Sequence, residues 1–234
     1  MKITYHGHST FALEFGSNKV LVDPFFKGNA AFNEENFEEV IKGTTHIALT
    51  HGHYDHLGDT IEIVEKTGAH VIANFDICVW LASKGVSNVD RGNTGGTILQ
   101  NGFSITFVHA RHSSCYLDED GISHAMGNAN GLVFHIEDEK SVYFMGDTDI
   151  FGDMALIQEL HQPQIGIVPI GDRATMGPAI AALSCRRYFK FEYIFPCHYA
   201  SHELLEKDAS NFIAALEEDS SKVKAPKSGD TTTL

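Results

Sequence analysis

Hydrophobic and polar positions alternate along much of the chain in short runs that are typical of β-strands. Phe103, Ile105 and Phe107 alternate with Ser104 and Thr106, which is the period-two pattern of a half-buried strand. Runs of this kind predict ten strands: Ile3–Tyr5, Phe11–Phe15, Lys19–Val22, Ile47–Thr50, Val71–Ala73, Phe103–His109, Leu132–Ile136, Val142–Met145, Ile165–Val168 and Tyr193–Phe195.

Helix starts are indicated by residues that favour the first helical turn. Asp59 precedes an apolar segment with Glu62 three residues on, which is the spacing of a capping box. Asp153 and Asp208 each precede a segment with helical spacing of apolar residues. Pro178 opens an alanine-rich segment, and proline suits the first position of a helix. Four helices are therefore expected at these points.

The order of the elements indicates the fold class. Strands dominate the first third of the chain and helices become frequent later, which predicts an α+β protein with stacked sheets and outer helices rather than one wound parallel sheet. The length of 234 residues fits a single domain over residues 1–234. The polar, glycine-rich stretch 115–131 is expected to be a long surface loop. The tail from Glu217 is either a terminal hairpin or disordered, and composition favours neither.

Composition narrows the possible partners and the compartment. The chain has 31 acidic and 17 basic residues and a net charge of −14, and a nucleic-acid surface needs clustered Lys and Arg, so no nucleic acid is expected. It has no apolar run of roughly 20 residues and no N-terminal stretch resembling a signal peptide, so no membrane partner is expected. Four widely spaced cysteines suggest reduced thiols and a cytoplasmic location. We expect a small-molecule substrate.

The most informative motif is the histidine-rich run at residues 51–56, His-Gly-His-Tyr-Asp-His, directly after an apolar segment. Packing alone gives no reason to place three imidazoles and a carboxylate on one loop. In an extended chain His51, His53 and Asp55 point to one side, and His56 approaches from a second direction once the chain turns. One metal ion cannot easily accept all four groups from so short a loop, whereas two adjacent ions can.

Three further candidate ligands follow predicted strands. His112 follows the strand that ends at His109, Asp147 follows the strand that ends at Met145, and His198 follows the strand that ends at Phe195. A ligand at the end of a rigid strand is held in a fixed position, so such ligands form a preorganised metal site. Cys197 lies beside His198, but neighbouring strand residues face opposite ways, so its thiol is expected to be buried and inert.

These residues carry a specific resemblance. The run Thr50–His56 resembles the signature of the metallo-β-lactamase superfamily, and His112, Asp147 and His198 fall in its later ligand order. Over nearly its whole length the chain is similar to the branch called UPF0173 metal-dependent hydrolases, which also resembles the ascorbate-6-phosphate lactonase group. The segments that carry this narrower likeness are Tyr5–Ser9, Leu21–Pro24, Gly146–Thr148, Phe151–Met154, Pro169–Asp172 and Thr175–Pro178. The resemblance implies a four-layer αββα sandwich with the metals at one edge, between the sheets.

The resemblance also implies a ligand set. His51, His53 and His112 are implied for a first metal ion; Asp55, His56 and His198 for a second; and Asp147 as the bridge. Imidazole and carboxylate ligands without thiolate suit two divalent ions, with zinc or manganese expected and iron possible.

Several neighbouring residues have two possible roles. His8 is either a turn residue or a group near the metals, and Asp23 either orients a ligand imidazole or caps a turn. Asp172, Thr175 and Met176 either line a substrate pocket or simply start a helix.

The expected chemistry is hydrolysis by water activated between two metals. Two ions about 3.5–4 Å apart can lower the pKa of a shared water to near 7, and the bridging hydroxide would attack a carbonyl or phosphoryl centre. Asp55 is expected to orient the hydroxide and receive its proton, and Asp55 or His8 to protonate the leaving group. The predicted substrate is a small, anionic ester, lactone or phosphoester.

Three alternatives differ in class. A nuclease or phosphodiesterase would share the metal pair, but the acidic balance and the absence of a nucleic-acid-clamping insertion count against it. An iron-dependent oxidoreductase on the same fold is disfavoured because flavodiiron relatives need an attached flavodoxin domain, for which the chain has no room. A non-catalytic descendant is disfavoured by the complete set of seven ligands. Several relatives form larger oligomers, so a homo-oligomer is possible.

Overall fold

The computed structural model describes residues 1–234, which form fifteen strands and seven α-helices. The strands are β1 (Lys2–Tyr5), β2 (Phe11–Phe15), β3 (Asn18–Val22), β4 (His46–Ala48), β5 (His70–Asn74), β6 (Val89–Gly92), β7 (Thr97–Gln100), β8 (Phe103–His109), β9 (Cys115–Leu117), β10 (Ser123–Ala125), β11 (Asn130–Ile136), β12 (Val142–Phe144), β13 (Ile165–Pro169), β14 (Tyr193–Cys197) and β15 (Thr231–Thr233). The helices are α1 (Phe37–Ile41), α2 (Tyr54–Leu57), α3 (Thr60–Thr67), α4 (Phe75–Ser83), α5 (Met154–His161), α6 (Pro178–Tyr188) and α7 (Ser210–Ala215).

The strands form two large mixed sheets and one small hairpin. The first sheet has the order β15-β1-β2-β3-β4-β5-β6, antiparallel from β15 to β3 and parallel from β3 to β6. The second has the order β14-β13-β12-β11-β8-β7, parallel from β14 to β12 and antiparallel beyond. Strands β9 and β10 pair only with each other. All ten predicted strands coincide with observed ones.

The hydrophobic core divides into three layers of contact. The inner faces of the two sheets pack on each other through residues such as Phe11, Phe107 and Phe144. The outer face of the first sheet packs against the first four helices, and the outer face of the second sheet packs against α5, α6 and α7. Each sheet thus buries both faces, and the molecule is the expected αββα sandwich.

Four predicted helix starts are confirmed, but one predicted capping interaction is wrong. Helix α3 begins after Asp59, yet the Asp59 side chain makes no cap bond. Its Oδ2 instead accepts the backbone amides of Phe26 (2.8 Å) and Lys27 (3.1 Å), so the carboxylate fixes a preceding loop. Helix α7 follows Asp208, whose Oδ1 accepts the amide of Ser210 at 2.7 Å.

The structure corrects the prediction for residues 115–131, which are not one long loop. They contain the β9–β10 hairpin and the start of β11. Tyr116 of the hairpin packs against Trp80 of α4, with ring centroids 4.9 Å apart. This packing gives the polar segment an apolar anchor that its composition does not indicate.

The C-terminal tail is ordered. Residues Glu217–Lys222 form a 3₁₀ helix, and β15 pairs antiparallel with β1 at the edge of the first sheet. The Thr4 and Thr231 hydroxyls hydrogen bond at 2.8 Å. None of the helices combines the length and the apolar character that a membrane-spanning helix requires.

Candidate metal centre

The histidine-rich run lies where β4 leaves the first sheet. His53 has an extended backbone and precedes α2, which begins at Tyr54. The helical turn takes Asp55 and His56 out of the strand-like alternation. The loop therefore offers its side chains in two directions, as predicted, but the turn begins earlier, at Tyr54, so Asp55 does not share the side of His51 and His53 on which the pattern placed it.

His51, His53 and His112 form one group of side chains that could hold a metal ion. The Nδ1 atom of His53 lies 3.0 Å from Nε2 of His51 and 3.3 Å from Nε2 of His112. Burial lowers the pKa of all three imidazoles, so the neutral form that binds metals is favoured.

A second group consists of His8, Asp55, His56 and His198. Nε2 of His8 lies 3.1 Å from Oδ2 of Asp55, and Nδ1 of His8 lies 2.6 Å from the hydroxyl of Ser201. His8 is therefore in the centre and not a simple turn residue. It is buried, and burial lowers its pKa to about 4.

Asp147 lies between the two groups. Its Oδ2 is 3.0 Å from Nε2 of His198, 3.3 Å from that of His56, 3.6 Å from that of His112 and 4.0 Å from that of His51. One carboxylate oxygen thus faces imidazoles of both groups. The structure brings all seven predicted ligands together.

Asp23 fixes the orientation of His56. Its Oδ2 lies 2.7 Å from Nδ1 of His56, and its two oxygens also accept the amide (2.8 Å) and the hydroxyl (2.6 Å) of Thr50. Because Nδ1 of His56 donates to Asp23, its Nε2 is left to face Asp147. Of the two roles open for Asp23, the structure supports the orienting one.

The polar atoms of the centre fit a metal site by an independent test. Nε2 of His56, Oδ1 of Asp147 and both ring nitrogens of His198 are buried and make no hydrogen bond of acceptable geometry, although both Nε2 atoms lie within 3.3 Å of Oδ2 of Asp147. Buried polar groups are almost always satisfied, so four such atoms in one place call for a ligand. Burial opposes protonation of His56, but Asp147 and Asp23 outweigh it and hold its pKa well above the ordinary value. The carboxylates of Asp147 and Asp23 therefore favour a positive charge at this place.

The loops that form the centre have strained backbones. Positive φ angles occur at His8 (53°), Asp23 (46°) and His198 (59°), none of which is glycine. Such conformations cost about 1–3 kcal/mol each and cluster at functional sites. A hydrogen bond stabilises the strained conformation of His198: its amide donates to the carbonyl of His8 at 2.7 Å. Cys197, next to it, is buried as expected, and burial raises the pKa of its thiol well above the usual value.

A cavity of about 370 Å³ opens beside the second group, and His8, Asp55 and His198 form part of its wall. This volume is at the lower end of the range for small-molecule sites. The sequence did not single out the other lining residues, because they come from four separate segments of the chain: Phe25, Lys27, Gly28, Tyr54, Arg173, Ala174, Ser201, His202, Leu204 and Leu205.

The three residues that were candidates for a pocket wall do not line this cavity. The Thr175 hydroxyl accepts the amide of Gly171 at 3.2 Å, and Met176 is buried in the core beneath the second sheet. Asp172 has a positive φ of 69° and its amide donates to the carbonyl of Met176. These residues shape the loop that carries Arg173 and Ala174.

Comparisons with known proteins agree with this architecture. Residues 18–199 match the Beta-lactamase superfamily domain. A UPF0173 metal-dependent hydrolase of Agrobacterium fabrum is 56% identical over 231 residues, which are 99% of both chains. One of Rhizobium meliloti is 54% identical over 100% of both.

The same fold occurs in a solved structure, Igni18, a metallo hydrolase from the hyperthermophilic archaeon Ignicoccus hospitalis. It has a TM-score of 0.87 and 31% identity, and the match covers 100% of this chain and 97% of that one. Sequence, fold and converging side chains therefore agree. The chain belongs to the beta-lactamase superfamily and, within it, to the UPF0173 metal-dependent hydrolases.

Proposed function

We propose that the protein is a dinuclear metal-dependent hydrolase of small, anionic esters, lactones or phosphoesters. In this proposal His51, His53 and His112 would hold one ion, Asp55, His56 and His198 would hold the other, and Asp147 would be a ligand shared by both. Zinc or manganese suits this set of nitrogen and oxygen donors, since it contains no thiolate.

The observation that carries the proposal is the position of Asp147. Its Oδ2 lies within 3.0–3.6 Å of imidazole nitrogens from both groups, and its Oδ1 has no partner. A structural salt bridge needs one cation, whereas this carboxylate faces the imidazoles of His51, His56, His112 and His198. That arrangement supports a bridging role between two cations.

The chain's own residues supply orientation and proton handling. When bound, the metal ions provide a nucleophile by lowering the pKa of water. Asp55 lines the cavity and accepts a hydrogen bond from His8, so it is placed to orient the attacking water and take its proton. His8 is the second candidate to protonate the leaving group, but its pKa is lowered to about 4, so near neutral pH it would act only after receiving the proton of the attacking water through Asp55.

The metal stoichiometry tests the proposal directly. Protein purified with zinc or manganese is expected to hold two ions per chain by mass spectrometry of the metal content. His53→Ala and His198→Ala should each lower this number to about one, because each removes a ligand of a different ion. His161→Ala, at the end of α5, is the matched control and should keep two.

Activity on a panel of lactones and phosphodiesters completes the test. Asp55→Ala should abolish turnover on every substrate that the parent protein hydrolyses. A parent protein that binds a single ion, or an Asp55→Ala variant with unchanged turnover, would contradict the proposal.

A further inference from the structure

The cavity beside the metal centre contains one cationic side chain that has no partner. Arg173 lies on the cavity wall, and its guanidinium makes no hydrogen bond or ion pair with any other residue of the chain. Arg173 is solvent-exposed, so its guanidinium is accessible to a ligand that enters the cavity. A guanidinium offers five donors in a planar fork that matches carboxylate and phosphate groups.

Lys27, which also lines the cavity, already has an acidic partner. Lys27 forms an ion pair with Glu62, and its ammonium group lies 5.0 Å from the centroid of the Phe37 ring. His202 accepts the amide of Leu204 at Nδ1 (3.2 Å), so its ring is fixed within its own loop. Arg173 is therefore the wall residue that is free to bind an anion.

The loop that carries Arg173 is anchored at both ends next to the metal centre. The amide of Arg173 donates to the carbonyl of Gly171 at 2.9 Å, and the amide of Met176 donates to the carbonyl of Thr148 at 3.1 Å. A Cβ at Gly171 would lie 2.2 Å from the carbonyl oxygen of His198, so the two loops are in close contact. Arg173 therefore lies on a short segment between two anchored positions, Gly171 and Met176.

Part of the remaining wall is apolar. Phe25 and Tyr54 meet edge to face with ring centroids 5.9 Å apart, and Leu204 is exposed on the same wall. These side chains offer a surface for the hydrocarbon part of a substrate. The cavity therefore combines three features: the candidate catalytic groups, an apolar face and one free guanidinium.

We propose that Arg173 is a specificity-determining residue that binds a carboxylate or phosphate group of the substrate, remote from the bond that is cleaved. This inference rests on the proposed hydrolase function and narrows its substrate class. The substrate then carries, besides the hydrolysable bond, an apolar part and a permanent negative charge.

Binding tests the inference without turnover. The probes are 4-hydroxybenzoate and its neutral methyl ester, titrated calorimetrically into the zinc-loaded protein. The parent protein should bind the anion more tightly than the ester. Arg173→Gln should weaken anion binding by about 10-fold to 100-fold, the usual range for a charge-assisted hydrogen bond, and leave ester binding unchanged.

Two further variants serve as controls. Arg173→Lys keeps the charge but loses the fork, so its anion affinity should be intermediate. Arg187→Gln makes the same chemical change on α6, away from the cavity, and should bind both probes like the parent protein. An Arg173→Gln variant that binds the anion as tightly as the parent, or a parent without preference for the anion, overturns the inference.

Matched substrates separate this inference from the proposed hydrolase function. The three substrates are 4-acetoxybenzoate, its methyl ester and 4-acetoxyphenylphosphonate. In each of them water cleaves the same acetyl ester and releases acetate and the corresponding phenol. Arg173→Gln should lower kcat/KM for the two anions only, and the larger loss identifies carboxylate or phosphate as the preferred group. Arg173-dependent binding without hydrolysis of any of them would support the inference while counting against the proposed function.

Discussion

Asp23 controls the orientation of His56, although it lies in the loop after β3 and His56 lies in α2. Its carboxylate is fully buried and bonds Thr50 through both oxygens as well as the ring of His56. The sequence left two roles open for Asp23, because the same Asp-Pro pair could cap a turn. Only the folded chain shows that its carboxylate reaches a histidine 33 positions further along.

Asp23→Asn should lower the affinity for metal ions by about 10-fold to 100-fold, which is typical when a group that orients a ligand imidazole is lost. Asparagine has nearly the same shape, but both oxygens of Asp23 accept hydrogen bonds, so the amide NH2 group must face a donor of Thr50 or His56 whichever way it is turned. Competition of the zinc-loaded protein with a chromophoric chelator measures the effect.

Asp59→Asn is the matched control for Asp23→Asn. Asp59 also accepts two hydrogen bonds from a neighbouring loop, but it contacts no candidate ligand. This variant should lose some thermal stability and keep the parent's metal affinity. Equal metal affinity in both variants would show that Asp23 has no influence on the centre.

Elements with strong apolar patterns were predicted well, and elements held by distant contacts were not. The ten strands with apolar cores were found from their pattern, whereas β6, β7, β9, β10 and β15 were missed. Strand β15 consists of three threonines and has no pattern of its own. It forms because β1 offers a free edge, which no local sequence signal reports. The same holds for the hairpin that Tyr116 attaches to Trp80.

Deletion of residues 229–234 should lower the free energy of unfolding by about 1–3 kcal/mol, because it removes a short edge ladder of backbone hydrogen bonds. Urea unfolding followed by circular dichroism measures the change. The metal content should stay the same, since β15 lies at the sheet edge and contributes no candidate ligand.

Thr231→Val distinguishes the contribution of the backbone ladder between β1 and β15 from that of the hydroxyl hydrogen bond between Thr4 and Thr231. It removes only the hydroxyl that meets Thr4, so the loss should be smaller than that of the deletion. A deletion that leaves the urea midpoint unchanged would mean that β15 contributes nothing to stability.

At the scale of the whole molecule, the centre joins the two halves of the sandwich. His8, His51, His53, Asp55 and His56 come from loops of the first sheet, and His112, Asp147 and His198 come from loops of the second. The motif and the family order predicted which seven side chains would converge, because each comes after a recognisable strand. The cavity wall could not be predicted, since Arg173, Ser201 and Tyr54 meet only through the packing of separate loops.

Removal of the metals should therefore destabilise the entire fold and not only the site. Without cations, Asp147 and the imidazoles around it remain buried with unsatisfied polar atoms. Ligands that bind only the folded state stabilise it by RT ln(1 + [L]/Kd), about 4 kcal/mol at 1,000 times Kd. A strong chelator should lower the free energy of unfolding by about this amount, as measured by denaturant titration with and without added zinc.

A double variant, His51→Ala with His198→Ala, provides the control because it removes one candidate ligand from each metal. Its unfolding should be insensitive to the chelator and to added zinc, whereas the parent protein responds to both. Since the two sheets share the centre, the parent's loss should appear as a shift of one cooperative transition. A chelator-treated parent with unchanged unfolding would mean that the buried imidazoles and Asp147 are satisfied without metal, and that the two halves of the sandwich hold together independently of it.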